Sequence, residues 1–245
     1  MTAKIIRLPE TKSTNSFAIE MLLHNRPEEG SVVITDHQTQ GKGTDTNTWE
    51  SEKGKNLTFS LILYPSIGAD QQFILNKAIS LGIYDFLIPL LPNHKVSIKW
   101  PNDLYIGDNK VCGILIQNSV MGTKMEYMVA GIGLNVNQTV FTSNAPNPVS
   151  LKMATGLDYN IDELLHKLVN SILKRYTSIK PETIRKIETE YQRVLYRFME
   201  WHEYLINDAI VYSRITGTNA YGQLVLEAGS GETFACALKE VKFKF

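Results

Sequence analysis

The stretch from residue 56 to residue 134 limits the fold most, because it sets several short β-rich runs around one long helical segment. Residues 56–64 alternate, with Leu57, Phe59, Leu61 and Leu63 on one face of a strand. Residues 71 to about 88 carry helical spacing and meet Pro89, whose missing N–H and ring end a helix. Three strand regions follow: Val96–Lys99 with Asp103–Ile106 after a Pro-Asn turn, residues 111–118, and residues 125–134. Gly107-Asp-Asn109 joins two of them as a hairpin.

The flanks complete an α+β pattern. Ile5–Leu8 reads as a first strand, and Ser13 or Thr14 caps a helix to about His24 that carries Phe17, Ile19, Met21 and Leu22. Residues 31–35 are strand-like, and the polar, aperiodic stretch 38–48 is a loop. Asn160-Ile-Asp-Glu163 has the form of a capping box, followed by an amphipathic helix through Ile161, Leu164, Leu165, Leu168, Ile172 and Leu173. Another helix covers about 181–195. After Trp201 the character changes. Short strands at 209–215, 223–227, 232–238 and 241–245, separated by glycine-containing turns, outline a small β-barrel. The expected organisation is a mixed β-sheet with helices packed on it over residues 1–199, then a barrel over 200–245. A chain of 245 residues has room for one large and one small domain.

Composition narrows the partners. With 25 basic and 25 acidic residues, bulk charge offers no strong hold on nucleic acid or on an anionic membrane. The N-terminus lacks a signal-peptide pattern, and no apolar run reaches the roughly 20 residues of a bilayer span. The expected compartment is the cytoplasm. Cys112 and Cys236 lie far apart in strand-like surroundings and read as small buried hydrophobes.

Common enzyme signatures are missing. The five histidines make no metal-spaced pair, and no Cys-x-x-Cys, Gly-x-Ser-x-Gly or Walker pattern occurs. Gly41-Lys-Gly43 begins a dinucleotide fingerprint, but Thr46 stands where its third glycine belongs. What remains is Lys99-Trp-Pro-Asn-Asp103 at a turn, with Lys110-Val-Cys-Gly113 seven residues on. Taken singly, a Pro-Asn-Asp turn and a strand-end lysine are commonplace structural features. Together with the glycine-basic loop upstream and Gly131-Ile-Gly-Leu-Asn135 downstream they form a constellation. The hairpin brings Asp103 and Lys110 to adjacent strand ends on one side of a sheet. Glycines at 113, 131 and 133 remove side chains where a ligand could approach the backbone.

The chain here resembles the biotin–protein ligases. The resemblance rests on Ser13-Thr-Asn15, Gln38-x-x-Gly41-Lys-Gly43, Trp49, Lys99-Trp-Pro-Asn-Asp103-Leu-Tyr, Lys110-x-x-Gly113-Ile-Leu and Gly131-Ile-Gly-Leu-Asn135. It implies a class II synthetase-like catalytic domain followed by an SH3-like barrel. It implies ATP with Mg²⁺ and biotin as reactants, no metal fixed by protein alone, and a biotin carboxyl carrier protein as acceptor. Ser13, Thr14, Asn15 and Gln38 would meet the biotin ring. Gly41, Lys42, Gly43 and Thr44 would close over the biotinyl chain and phosphates, with Gly113, Gly131 and Gly133 beneath. Trp49, Asn102 and Asn135 would hold the nucleotide with Lys42, Asp103 and Lys110, and these last three would carry the chemistry. Members of the family commonly show Gly-Arg-Gly in the loop; here Lys42 replaces the arginine, and Thr44, Asp45 and Thr46 fill positions that are often basic or glycine.

The chemistry fits those residue types. A carboxylate attacking a phosphate brings two anions together, a repulsion of about 4 kcal/mol at about 4 Å and an effective dielectric of about 20. One cation at Lys110 offsets a term of that size. Three rivals are a lipoate–protein ligase, a sensor that binds the adenylate without transfer, and a DNA-binding repressor. Catalytic-type sequence begins within fifteen residues of Met1, so no N-terminal helix-turn-helix is expected.

Overall fold

The computed structural model describes residues 4–44, 47–143 and 145–244. The first part of the chain runs β1 (Ile5–Leu8), α1 (Thr14–His24), β2 (Val32–Thr35), β3 (Leu57–Leu63) and α2 (Phe73–Leu87). It continues through β4 (Val96–Lys99), β5 (Asp103–Ile106), β6 (Asn109–Met121) and β7 (Lys124–Leu134). These strands make one seven-stranded sheet in the order β1-β2-β3-β7-β6-β5-β4. Only β1 and β2 pair in parallel, with α1 as their crossover. The sheet is therefore mixed, as the sequence pattern requires.

Helices α2, α4 (Ile161–Thr177) and α5 (Ile184–Arg193) share a core cluster with Leu57, Phe59, Leu61 and Leu63 of β3. Helix α1 packs on the opposite face, where Phe17 and Ala18 meet Val33, Ile62 and Val129. Both faces of β3 are thus covered, and all seven of its residues are buried. Alternation identified one face of this strand; it did not reveal that the other carries Thr58 and Ser60 under the N-terminus of α1. The most apolar segment, Phe73–Leu90, has the length and composition of a membrane span, but it forms α2 and the next turn and is mostly buried in the core. Within it Lys77 is buried, 3.2 Å from Glu188 of α5, and burial pulls its pKa down.

A short helix missed in the sequence, α3 (Leu151–Thr155), is capped by Ser150, whose side chain accepts from Met153 N. The helix expected at 181–195 is a 3-10 turn at Pro181–Thr183 leading into α5. Beyond it a five-stranded antiparallel sheet has the order β11-β10-β9-β8-β12. Its strands are β8 (Trp201–Ile206), β9 (Ala209–Thr218), β10 (Leu224–Ala228), β11 (Thr233–Cys236) and β12 (Val241–Phe243). The sequence reading omitted β8, whose His202 and Glu203 mask an alternation visible only at Tyr204 and Ile206. This sheet touches the catalytic-type turn directly: Trp100 Nε1 donates to the Gly222 carbonyl at 2.8 Å. A side chain at Gly222 would strike the Phe73 ring of α2.

Candidate active site

The N-terminus of α1 builds an inner cavity. Ser13 caps the helix in an extended conformation, which turns Thr14 and Asn15 inward, and all three are buried. Thr14 N and Oγ1 donate to Gln38 Oε1 at 2.9 and 3.2 Å. Asn15 Nδ2 donates to the Leu115 carbonyl at 3.1 Å and to Gln117 Oε1 at 2.9 Å. With both amide hydrogens used, its Oδ1 must face Ser60 Oγ, 2.6 Å away. Ser60 Oγ is also 2.8 Å from Thr14 Oγ1, and its single hydrogen serves one of the two at a time. Opposite, Gly131 leaves room for the Asn15 amide, which an added Cβ would strike.

The β5–β6 hairpin builds the border of a second, outer cleft. Lys110 Nζ lies 2.7 Å from Asp103 Oδ1, with the two side chains 28% and 19% exposed. In the β5–β6 register Lys110 pairs with Tyr105, two residues along the strand from Asp103, with a register shift between Leu104 and Tyr105. Asn102 Nδ2 donates to the Ile114 carbonyl and fixes the turn beside them. The Trp49 ring lies over Gly113 and Gly133, where any Cβ would crowd it, and 5.7 Å from Lys110 Nζ. These glycines make room for a protein side chain: they let the indole approach β6 and β7 closely. Lys99 Nζ sits over the rings of Phe243, at 4.4 Å, and Tyr105, at 5.6 Å. Burial pulls the Lys99 pKa down; Asp103 pushes it up, and Lys110 and Arg197 add to the lowering.

The two spaces share residues. The inner cavity is narrow, about 50 Å³, and is lined by Ser13, Thr14, Asn15, Gln38, Lys42, Gly113, Gly131 and Gly133. Gly43, Thr44, Trp49, Asn102, Asp103 and Lys110 line both this cavity and the outer cleft, which is about 550 Å³. Asn135 lines the outer cleft alone. Lys42 touches only the inner cavity, its Nζ 3.5 Å from Ser16 Oγ. Gly41 lines neither; its carbonyl accepts from Trp49 N at 3.0 Å, and a Cβ there would strike the Trp49 carbonyl. Asp45 and Thr46 lie outside the described residues. Sequence reasoning missed Ser60 and Gln117 in the inner network, and Phe141, Lys242 and Phe243 in the outer cleft. A lone serine within the apolar run of β3 was the available signal for the first.

The profile of the biotin/lipoate A/B protein ligase family matches residues 8–135, just over half of the chain. The chain belongs to this family. Among its members, the biotin–[acetyl-CoA-carboxylase] ligase of Paracoccus denitrificans is 31% identical over 167 residues, which cover 66% of this chain and 68% of that protein. The bifunctional ligase/repressor BirA of Bacillus spizizenii is 26% identical, over 89% of this chain and 68% of its own length. The human biotin–protein ligase is 29% identical over 71% of this chain, which spans only 27% of that protein. In fold the chain is similar to the biotin protein ligase of Aquifex aeolicus solved with biotin and ATP, at a TM-score of 0.78, 23% identity and 98% coverage of both chains. Inside the family's matched region fall the inner network, the Lys110–Asp103 pair and Asn135. The second sheet, which supplies Phe243 to the outer cleft, lies beyond it.

Proposed function

We propose that the chain is a biotin–protein ligase: it joins biotin to ATP as biotinyl-5′-AMP with release of pyrophosphate, then passes the biotinyl group to a lysine of a biotin carboxyl carrier domain. The observation that carries this reading is the Lys110–Asp103 pair at the junction of a small polar cavity and a larger cleft. A ring with N–H and C=O groups in the inner cavity meets Thr14, Asn15, Gln38 and Ser60, and its side chain points its carboxylate toward Lys110. ATP in the outer cleft brings its α-phosphate to the same ammonium.

Lys110 then stands between two anions. Asp103 balances its charge before the reactants arrive, and a flexible ammonium can transfer its hydrogen bonds from one carboxylate to the incoming oxygens. Asn135 Oδ1 and Trp49 Nε1 are buried without hydrogen-bond partners, one an acceptor and one a donor, and both border the outer cleft. A purine presents the complementary groups. Among the described residues no three His, Cys, Asp or Glu side chains cluster. Magnesium would therefore come on the triphosphate, where it neutralises charge on the departing pyrophosphate. In the second step the acceptor lysine must lose a proton, which costs about 4–5 kcal/mol at neutral pH. Asp103, once released by Lys110, would accept it. Residues 1–199 would form the catalytic unit and residues 200–245 a wall of the nucleotide cleft.

A lipoate ligase of the same fold would place an apolar dithiolane against Asn15, Thr14 and Ser60. These groups already bond to one another, but their spare acceptor lone pairs can still take N–H groups that a dithiolane lacks, so the polar cavity favours biotin. ATP–pyrophosphate exchange with biotin, then with lipoate, followed by transfer to a carrier domain, tests the reading. Exchange with lipoate at a higher rate than with biotin would overturn it, and exchange without transfer would leave only an adenylate-binding protein.

A further inference from the structure

Glu50 follows Trp49 directly on the border of the outer cleft, and its carboxylate grips another segment of the same border. Its Oε2 accepts from Ser143 N at 2.7 Å and Thr142 N at 3.1 Å. Its Oε1 accepts from Thr142 N at 3.0 Å, Gln138 Nε2 at 3.2 Å and Thr142 Oγ1 at 3.3 Å. All of these donors are uncharged. Burial works upward on the Glu50 pKa, but the bonds from Ser143 and Thr142 outweigh it and hold the carboxyl below its ordinary value. Two consecutive backbone N–H groups on one carboxylate make a charge-assisted clamp, about twice as strong as neutral bonds.

The clamp has a rigid back. Gln138 is buried, and its Oε1 accepts from Glu52 N at 2.9 Å and Asn56 Nδ2 at 2.5 Å. Asn56 Oδ1 in turn accepts from Val136 N at 2.9 Å, next to Asn135. On the front, Trp49 and Glu50 line the cleft together with Phe141, Ser143, Ala145 and Pro146. Glu50 and its amide relay tie these two walls together, beside one backbone bond further back, from Asn137 N to the Lys55 carbonyl at 2.8 Å.

We infer that Glu50 is a positioning residue for the nucleotide, clamping the wall at 141–143 to the back of Trp49 so that both meet the base in register. The inference rests on reading the outer cleft as the ATP site. It assigns Glu50 no contact with substrate; its effect passes through Trp49 and Phe141.

Glu50→Gln is the decisive variant. Both carboxylate oxygens accept N–H groups, so an amide nitrogen in either place would face a donor. A residue that merely filled space would tolerate this isosteric change. The expected result in pyrophosphate exchange is an ATP KM raised about tenfold, the loss of roughly one charge-assisted bond, with the biotin KM within about twofold of wild type. Glu50→Asp, too short to reach both N–H groups, should show the same split and serves if the glutamine variant does not fold. On the wild-type protein, the Thr142 and Ser143 amides should be protected from hydrogen exchange. An unchanged ATP KM in the folded variants, a biotin KM rising in step with it, or unprotected amides would each overturn the clamp. Absence of biotin-dependent exchange in the wild type would instead refute the functional reading beneath it.

Discussion

The inner cavity and the outer cleft are built on opposite principles. The inner one comes from a helix N-terminus and three neighbouring strands, β3, β6 and β7, and its polar groups bond to one another: Thr14 to Gln38, Asn15 to Gln117 and Ser60. The outer one is about ten times larger, 550 against 50 Å³, and is assembled from a loop, a turn, the segment after β7 and the end of the second sheet. It keeps Trp49 Nε1 and Asn135 Oδ1 buried and unpaired. A self-satisfied network holds its shape before any ligand comes, whereas orphaned groups, each costing about 1–3 kcal/mol, gain most when a ligand satisfies them. The two spaces should therefore answer differently to mutation: the inner through recognition of biotin alone, the outer through the nucleotide.

The border residue should break both at once. Lys110→Ala removes the cation that both spaces share, and exchange should fall about a thousandfold or more, the size of a lost transition-state charge partner. Circular dichroism should remain that of the wild type, because the Lys110 side chain is partly exposed. A folded variant exchanging at wild-type rate would remove the pair from the chemistry.

Asn15→Ala sharpens the contrast on the inner side. It leaves Gln117 Oε1 without its partner and Ser60 Oγ with Thr14 alone, so the biotin KM should rise between about tenfold and a hundredfold while the ATP KM stays put. Ser60→Ala should do the same at about tenfold, because it frees the Asn15 amide to rotate. Equal rises in both KM values would mean that the two spaces are one site energetically. On the outer side, Asn135→Ala removes an acceptor that has no partner in the free protein and should raise the ATP KM about tenfold. Titration calorimetry with biotin alone gives the check. Weakened biotin binding in this variant would contradict the division.

How much of this could be read in advance depended on whether a residue works alone or through a distant partner. Asp103 and Lys110 were legible because a hairpin of known length converts sequence spacing into spatial approach, and the pair does meet at 2.7 Å. The Ser13 cap was legible for the same local reason, and its side chain accepts from Ser16 N. Ser60 was not, since a strand buried on both faces gives no sign of which face holds the site. Glu50 was hidden too, because its partners Thr142 and Ser143 stand more than ninety positions away and donate through their backbone, which every residue possesses. Strand β8 escaped for a compositional reason: Trp201-His-Glu203 reads as polar surface until the neighbouring β9 supplies its pairing.

The smallest expected effect concerns Lys42, which borders the inner cavity in the loop that leads to Trp49. Backbone bonds fold this loop back on itself, Gly43 N to the Asn47 carbonyl at 2.8 Å and Trp49 N to the Gly41 carbonyl at 3.0 Å. The Lys42 ammonium, by contrast, has one long bond, 3.5 Å to Ser16 Oγ. To reach an adenylate phosphate it must leave that hydroxyl, and it then offers a point charge where a guanidinium would offer two parallel hydrogen bonds. Lys42→Arg should therefore hold biotinyl-adenylate longer. With biotin, Mg-ATP and serum albumin, the wild type should label albumin about two- to threefold more than the variant, an energy difference below 1 kcal/mol. Exchange rates should match within about twofold, so the comparison isolates retention of the intermediate from its formation. Equal or greater labelling by Lys42→Arg would show that this side chain does not govern escape, and retention would then fall to the residues that line both spaces, Trp49 and Lys110 among them.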